Sequence, residues 1–118
     1  MIELPWPPKE LRNAADRVNR YALSRVTKKA RKWACDATMG VHGVKPKNLP
    51  FIGPRLPICI TFYPPDRRLR DEDNMRASCK AYQDGIADAL GVNDRCFACH
   101  YVFADPVKGG KITVEIGR

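Results

Sequence analysis

Two periods of apolar residues run along the chain. Ile2 and Leu4 flank Glu3 in a short strand pattern that ends at Pro5, Pro7 and Pro8, since proline supplies no ladder N–H. From about Asn19 to Met39, Ala22, Val26, Ala30, Trp33 and Ala37 recur at helical spacing, with Arg25, Lys28, Lys29, Arg31 and Lys32 on the other sides. Residues 40–57 carry glycines, prolines, Lys45, Lys47 and Arg55 and read as a long loop. Ile58 to Tyr63 is a strand of β-branched, aromatic and thiol residues, stopped by Pro64-Pro65. A second helix is predicted over about Asn74 to Leu90. Met75, Cys79, Tyr82, Ile86 and Ala89 form its buried stripe, Lys80 and Asp84 lie opposite, and Gly91 ends it. Ala98 to Ala104 and Lys111 to Ile116 read as two strands joined by a turn around Gly109-Gly110. The order β-α-β-α-β-β predicts an α+β fold, two helices on a small mixed sheet, as one domain over residues 1–118.

Charge changes the picture more than length does. The 118 residues carry 21 Lys and Arg against 13 Asp and Glu, a net charge of +8 that favours a polyanionic partner such as DNA. No run approaches the roughly 20 apolar residues of a membrane helix, which argues against a membrane partner. The first residues lack the layout of a secretory signal, and the five cysteines are odd in number without framework spacing. The expected location is therefore cytoplasmic, with reduced thiols.

The segment Asp66-Arg-Arg-Leu-Arg-Asp-Glu-Asp-Asn74 holds the candidate chemistry. Asp71 and Asp73 lie two apart where a strand is expected to pass into a helix, so extended backbone turns both carboxylates the same way and Glu72 elsewhere. Such hard oxygens suit Mg²⁺ or Mn²⁺. The structural alternative is that Asp73 or Asn74 caps the helix. Arg67, Arg68 and Arg70 could hold a phosphate backbone by paired hydrogen bonds, or could balance the neighbouring acids. Lys28, Lys29, Arg31 and Lys32 are further candidate phosphate contacts, with a solvated helix face as the alternative.

Leu-Pro-Trp-Pro-Pro at the start, Arg-x-Arg-Asp-x-Asp-Asn in the middle and Asp-Gly-Ile-Ala-Asp-Ala-Leu-Gly-Val-Asn-Asp later resemble the RusA family, endodeoxyribonucleases that resolve Holliday junctions in bacteria and their phages. The resemblance runs in order from residue 3 to the closing strand. It implies a homodimeric, Mg²⁺-dependent nuclease in a bacterial or phage-infected cell, cutting four-way junctions by paired symmetric strand cuts in recombination and repair. Three essential aspartates fall on Asp71, Asp73 and Asp94, as catalytic residues and metal ligands, and the family's lysine matches Lys80, with Arg76 the competing alignment. The family often has two neighbouring acids where this chain has Asn93-Asp94. The basic stretch after its proline-rich start is matched only loosely by Asn13, Asn19 and Arg20.

Geometry bears on two of these residues independently. Lys80 follows Asp73 by seven positions, about two helical turns and 10 Å of rise on nearly the same side, where an ammonium could offset charge on a phosphate. An i,i+4 ion pair with Asp84 is the alternative. A helix from Asn74 to Leu90 is roughly 25 Å long, which sets Asp94 at the far end from Asp71 and Asp73. Either the chain doubles back after Gly91 or an antiparallel partner supplies Asp94; the length mismatch and the dimeric family favour the second.

Cys96-Phe-Ala-Cys99-His100 also fits a c-type haem attachment pattern or half of a zinc site, but lacks a second ligand pair at zinc-finger spacing. Trp6, Trp33, Tyr63, Tyr82 and Phe103 read as packing residues. A rival to the nuclease is a basic DNA-binding protein without catalysis, its acids capping a helix and pairing with arginines.

Overall fold

The computed structural model describes residues 1–12 and 20–117. Its elements are β1 (Ile2–Pro5), α1 (Lys9–Arg12), α2 (Arg20–His42), β2 (Leu56–Tyr63), α3 (Glu72–Ser78), α4 (Lys80–Leu90), a 3₁₀ turn (Asp94–Cys96), β3 (Phe97–Phe103) and β4 (Lys111–Ile116). The predicted α+β order holds, with a mixed four-stranded sheet ordered β1-β4-β2-β3.

β2 organises the sheet. Leu56, Ile58, Ile60 and Phe62 are at most 1% exposed, while the residues between them are half-buried, so strand alternation puts one apolar row under the helices. β3 runs parallel to β2, from Leu56↔Phe97 to Phe62↔Phe103, as a strand–helix–strand crossover requires. β4 is antiparallel to β2, and β1 antiparallel to β4. Pro5 is accommodated because β1 is an edge strand.

β3 and β4 are not neighbours, contrary to the turn expected between them: β2 lies between them. The connection follows the end of β2, where Ala104 N–H donates to the Phe62 carbonyl and Val107 N–H to the Pro64 carbonyl, each at 2.9 Å. It then reverses at Gly109 and Gly110, whose φ values of 80° and 68° favour glycine.

α2 and α4 pack on each other and over the sheet. The buried line of α2 is Ala30, Ala34 and Thr38: it keeps Ala30 of the expected stripe, then runs one position on from Trp33 and Ala37, which with Ala22 and Val26 are half-buried flanks. The offset has a steric cause. Gly85 of α4 lies against the Arg31 carbonyl oxygen, and a Cβ at that position would stand 2.9 Å from the Ala34 methyl, so the helices meet through small residues. Tyr82 is buried below this contact and its hydroxyl donates to the Pro5 carbonyl at 2.9 Å, tying α4 to β1.

The predicted second helix is interrupted at Cys79. The buried Ser78 hydroxyl donates to the Met75 carbonyl at 2.6 Å, and Cys79 N–H turns to the Arg76 carbonyl at 3.1 Å. A tightened turn therefore divides α3 from α4. Among the described residues no helix is long and apolar enough to cross a membrane.

Candidate functional site

The segment from Pro64 to Asp71 is irregular, not a strand, and its shape is set by Arg70. The Arg70 guanidinium donates to the Asp66 carboxylate at 2.7 Å and to the carbonyls of Asp66 and Arg68 at 3.0 and 2.9 Å. It also lies 5.5 Å from the centre of the Trp6 ring, which packs edge-on against Phe62. Hydrogen bonds from Arg68 N–H and then from Arg70 hold the Asp66 carboxyl below the usual carboxylate range. Arg70 is thus a brace within the fold, with only 18% of its side chain exposed, whereas Arg67 and Arg68 project outward.

At the loop's end Asp71 is extended, with φ −74° and ψ 118°, and one of its carboxylate oxygens accepts from Asp73 N–H at 2.8 Å and Asn74 N–H at 3.2 Å. This caps α3 and starts the helix at Glu72, earlier than expected. Asp73 already has helical backbone, so the extended-strand argument that aimed both carboxylates the same way does not apply. Asp73 leaves 92% of its side chain exposed and accepts from Arg76 at 3.1 Å. Arg76 also pairs with Glu72 at 3.5 Å and lies 5.7 and 5.8 Å from the ring centres of Tyr101 and Phe103. That aromatic shelf, with Phe103 stacked on Phe62 at 5.0 Å, anchors the acidic turn to β3.

Lys80, the first residue of α4, is engaged by acids other than Asp73. Its ammonium donates to Asp84 at 3.0 Å, one turn on, and to Asp94. Asp94 reaches it because the chain doubles back within the subunit: Gly91 is left-handed, with φ 72°, and Asn93 caps the 3₁₀ turn that presents Asp94. Within one chain the doubling back joins Asp94 to Lys80, and not to the Asp71 and Asp73 pair. The Lys80 hydrogen bond holds the Asp94 carboxyl low, and Asp94 followed by Asp84 raises Lys80.

The three aspartates therefore divide into Asp71 with Asp73 at the start of α3, and Asp94 with Asp84 around Lys80. Among the described residues no set of three or more Asp, Glu, His or Cys side chains could hold a metal ion. The expected three-carboxylate set is not assembled in one chain. Asp71 and Asp73 still offer exposed hard oxygens, a donor set that fits Mg²⁺, which commonly takes one or two carboxylates and completes its shell with water and substrate phosphate.

The helix-face bases are largely committed. Arg31 makes a two-pronged pair with Asp88 of α4 at 2.6 and 2.9 Å, which raises Arg31 and lowers Asp88. Lys32 pairs with Asp36 at 3.1 Å, Lys29 lies 5.2 Å from the Trp33 ring centre, and Lys28 is exposed. Asn13 and Asn19 lie outside the described residues. Cys99 is half-buried on β3 and its neighbour His100 exposed; burial pushes the Cys96 and Cys99 thiols up, and that of Cys79 to about 12.

Sequence reasoning missed Asp66 as the carboxylate that shapes the arginine loop. Its spacing of four from Arg70 was the available signal. The place of Arg76 on Tyr101 and Phe103 depends on the β3 crossover and had no local signal.

No family model matches the chain. A protein of Xylella fastidiosa (strain Temecula1 / ATCC 700964), described as an uncharacterized protein, is 43% identical over 116 residues, spanning 98% of this chain and 74% of that protein. The chain belongs to that protein's family. The aligned stretch takes in the arginine loop, the acidic turn and Asp94, since it spans nearly all of the chain.

Proposed function

We propose that this protein is a structure-selective DNA endonuclease of RusA type, hydrolysing phosphodiesters at four-way junctions with a divalent cation, Mg²⁺ or Mn²⁺. The observation that carries the reading is an exposed acidic turn set in a basic surface. Asp71 and Asp73 follow the outward-facing Arg67 and Arg68 within a few residues, in a chain of net charge +8. Arginines there draw in a phosphate backbone, and carboxylates beside them have little use for binding a polyanion but a clear one for chemistry on it.

In this reading Arg67 and Arg68 hold phosphates and Asp71 and Asp73 hold the cation, which when bound polarises a phosphodiester. Lys80 holds Asp94 and Asp84 in place at the start of α4 through its hydrogen bonds. A homodimer suits the substrate: a four-way junction is approximately two-fold symmetric, and an isologous pair presents two equivalent sites to opposed strands.

One observation favours a second reading, a basic DNA-binding protein without catalysis. Asp71 caps α3, Asp73 pairs with Arg76 and Asp94 with Lys80, so each acid has a structural partner. Asp73→Asn separates the two. The nuclease loses at least about a hundredfold in junction cleavage and keeps or gains junction affinity, because a negative charge near phosphate has gone. Wild-type protein that binds junctions but never cuts them with Mg²⁺ is the second kind.

A further inference from the structure

Leu69 is the most exposed large apolar residue among those described, at 97%, ahead of Tyr21 at 79%. It is not on a loose segment. Arg70, one residue on, is tied to Asp66 and Arg68 through three hydrogen bonds and covers Trp6, while Arg68 N–H is held by the Asp66 carboxylate at 2.9 Å. The fold thus uses a largely buried guanidinium to hold a leucine out in water, where its solvation is unfavourable. On the sequence before it lie Arg67 and Arg68, the latter with 81% of its side chain exposed. Leu69 also lines one hollow of about 210 Å³ together with Asp71 and Asn74.

An apolar tip flanked by outward arginines matches a polyanion that offers an apolar surface between its phosphates. Intact duplex covers its base faces by stacking; a branch point leaves them open. We propose that Leu69 is a wedge that enters the base stack at the branch point of a DNA junction, while Arg67 and Arg68 hold the flanking phosphates. Leucine and similar side chains are suited to this, because they replace base–base contact with apolar contact and leave no polar group unpaired. The wedge rests on the DNA-junction reading above and supplies its structure selectivity. Bases push the whole protein toward any DNA, whereas a rigid apolar tip gains only where stacking is already broken.

The test uses a four-way junction with 2-aminopurine beside the branch point, and a linear duplex of the same sequence, both with EDTA to prevent cutting. Wild-type protein should brighten the junction's 2-aminopurine and prefer junction to duplex. Leu69→Ala should lose most of that brightening and about tenfold of the preference, with duplex affinity unchanged within about twofold. Leu69→Phe should restore both, and Arg68→Ala should weaken both DNAs alike. If Leu69→Ala keeps the brightening and the preference, the wedge is wrong while the junction reading stands. If wild-type protein shows no junction preference, the junction reading itself fails and the wedge with it. Loss on Leu69→Ala of binding to anionic phospholipid vesicles, with junction binding intact, would assign the tip to a lipid surface and also overturn the wedge.

Discussion

The contact between α2 and α4 and the loop that leads into α3 use the same residue types to opposite ends. Between the helices, Ala30, Ala34 and Gly85 let the backbones close, and the Arg31–Asp88 pair seals the rim. In the loop, Arg70 and Asp66 are consumed internally, and the result is that Leu69, Arg67, Arg68 and Asp73 are held outward. One region places its charges at the edge of a packed contact; the other uses a largely buried guanidinium on a half-exposed carboxylate to hold several more charges outward. An arginine–aspartate pair therefore does not reveal its role by chemistry alone, and what its formation leaves exposed has to be examined.

The sharpest way to break the contrast is steric. Gly85→Ala places a Cβ on the Arg31 carbonyl oxygen, which is backbone and cannot swing away. The helices must separate, at a cost of about 3 kcal/mol, read as a fall in the urea midpoint. Arg70→Ala should come next, at about 2 kcal/mol, because the hydrogen bonds of a largely buried guanidinium are lost together. That variant should also weaken DNA binding by releasing Arg67 and Arg68 from their fixed positions. Arg31→Ala, at a pair whose side chains are 51% and 42% exposed, should cost under about 1 kcal/mol and leave DNA binding nearly unchanged. Equal losses for Arg70→Ala and Arg31→Ala would erase the distinction between the two regions.

The smallest effect is in the titration of Asp94. Its carboxyl is depressed by Lys80, so the pair's contribution is present above the ordinary carboxylate range and fades as pH falls through Asp94's own lowered value. Lys80 is raised, so the same contribution is present below the ordinary lysine range and fades as pH rises through the raised value. Carboxyl NMR should follow Asp94 titrating below the usual carboxylate range in wild-type protein. In Lys80→Ala it should titrate higher, and an unchanged value would remove Lys80 as the cause.

Much of this architecture was legible in local pattern. β4 falls at the residues expected, β1, β2 and α2 lie within a few residues of expectation, and the buried stripe Met75, Cys79, Tyr82, Ile86 and Ala89 is buried throughout. What was not legible depends on distant partners. β2 enters between β3 and β4 through pairings of residues some 40 to 60 positions apart, which no hairpin signal records. The break at Cys79 comes from Ser78 competing for a carbonyl once buried. At the site, the acidic and basic residues were visible as types, but the division of Asp71 and Asp73 from Asp94 was set by the left-handed turn at Gly91, and Arg70's inward brace by Trp6. Gly85, inside a helical pattern, was a signal of close helix contact that periodicity alone passes over.

The central claim is that the exposed acids among the bases act on branched DNA. Its most direct measurement incubates wild-type protein with a synthetic four-way junction or a linear duplex, in Mg²⁺ or in EDTA. The account predicts paired, symmetrically placed cuts in the junction with Mg²⁺, little cutting of the duplex, and none of either with EDTA. An uncut junction in Mg²⁺, or a duplex cut equally well, would contradict it.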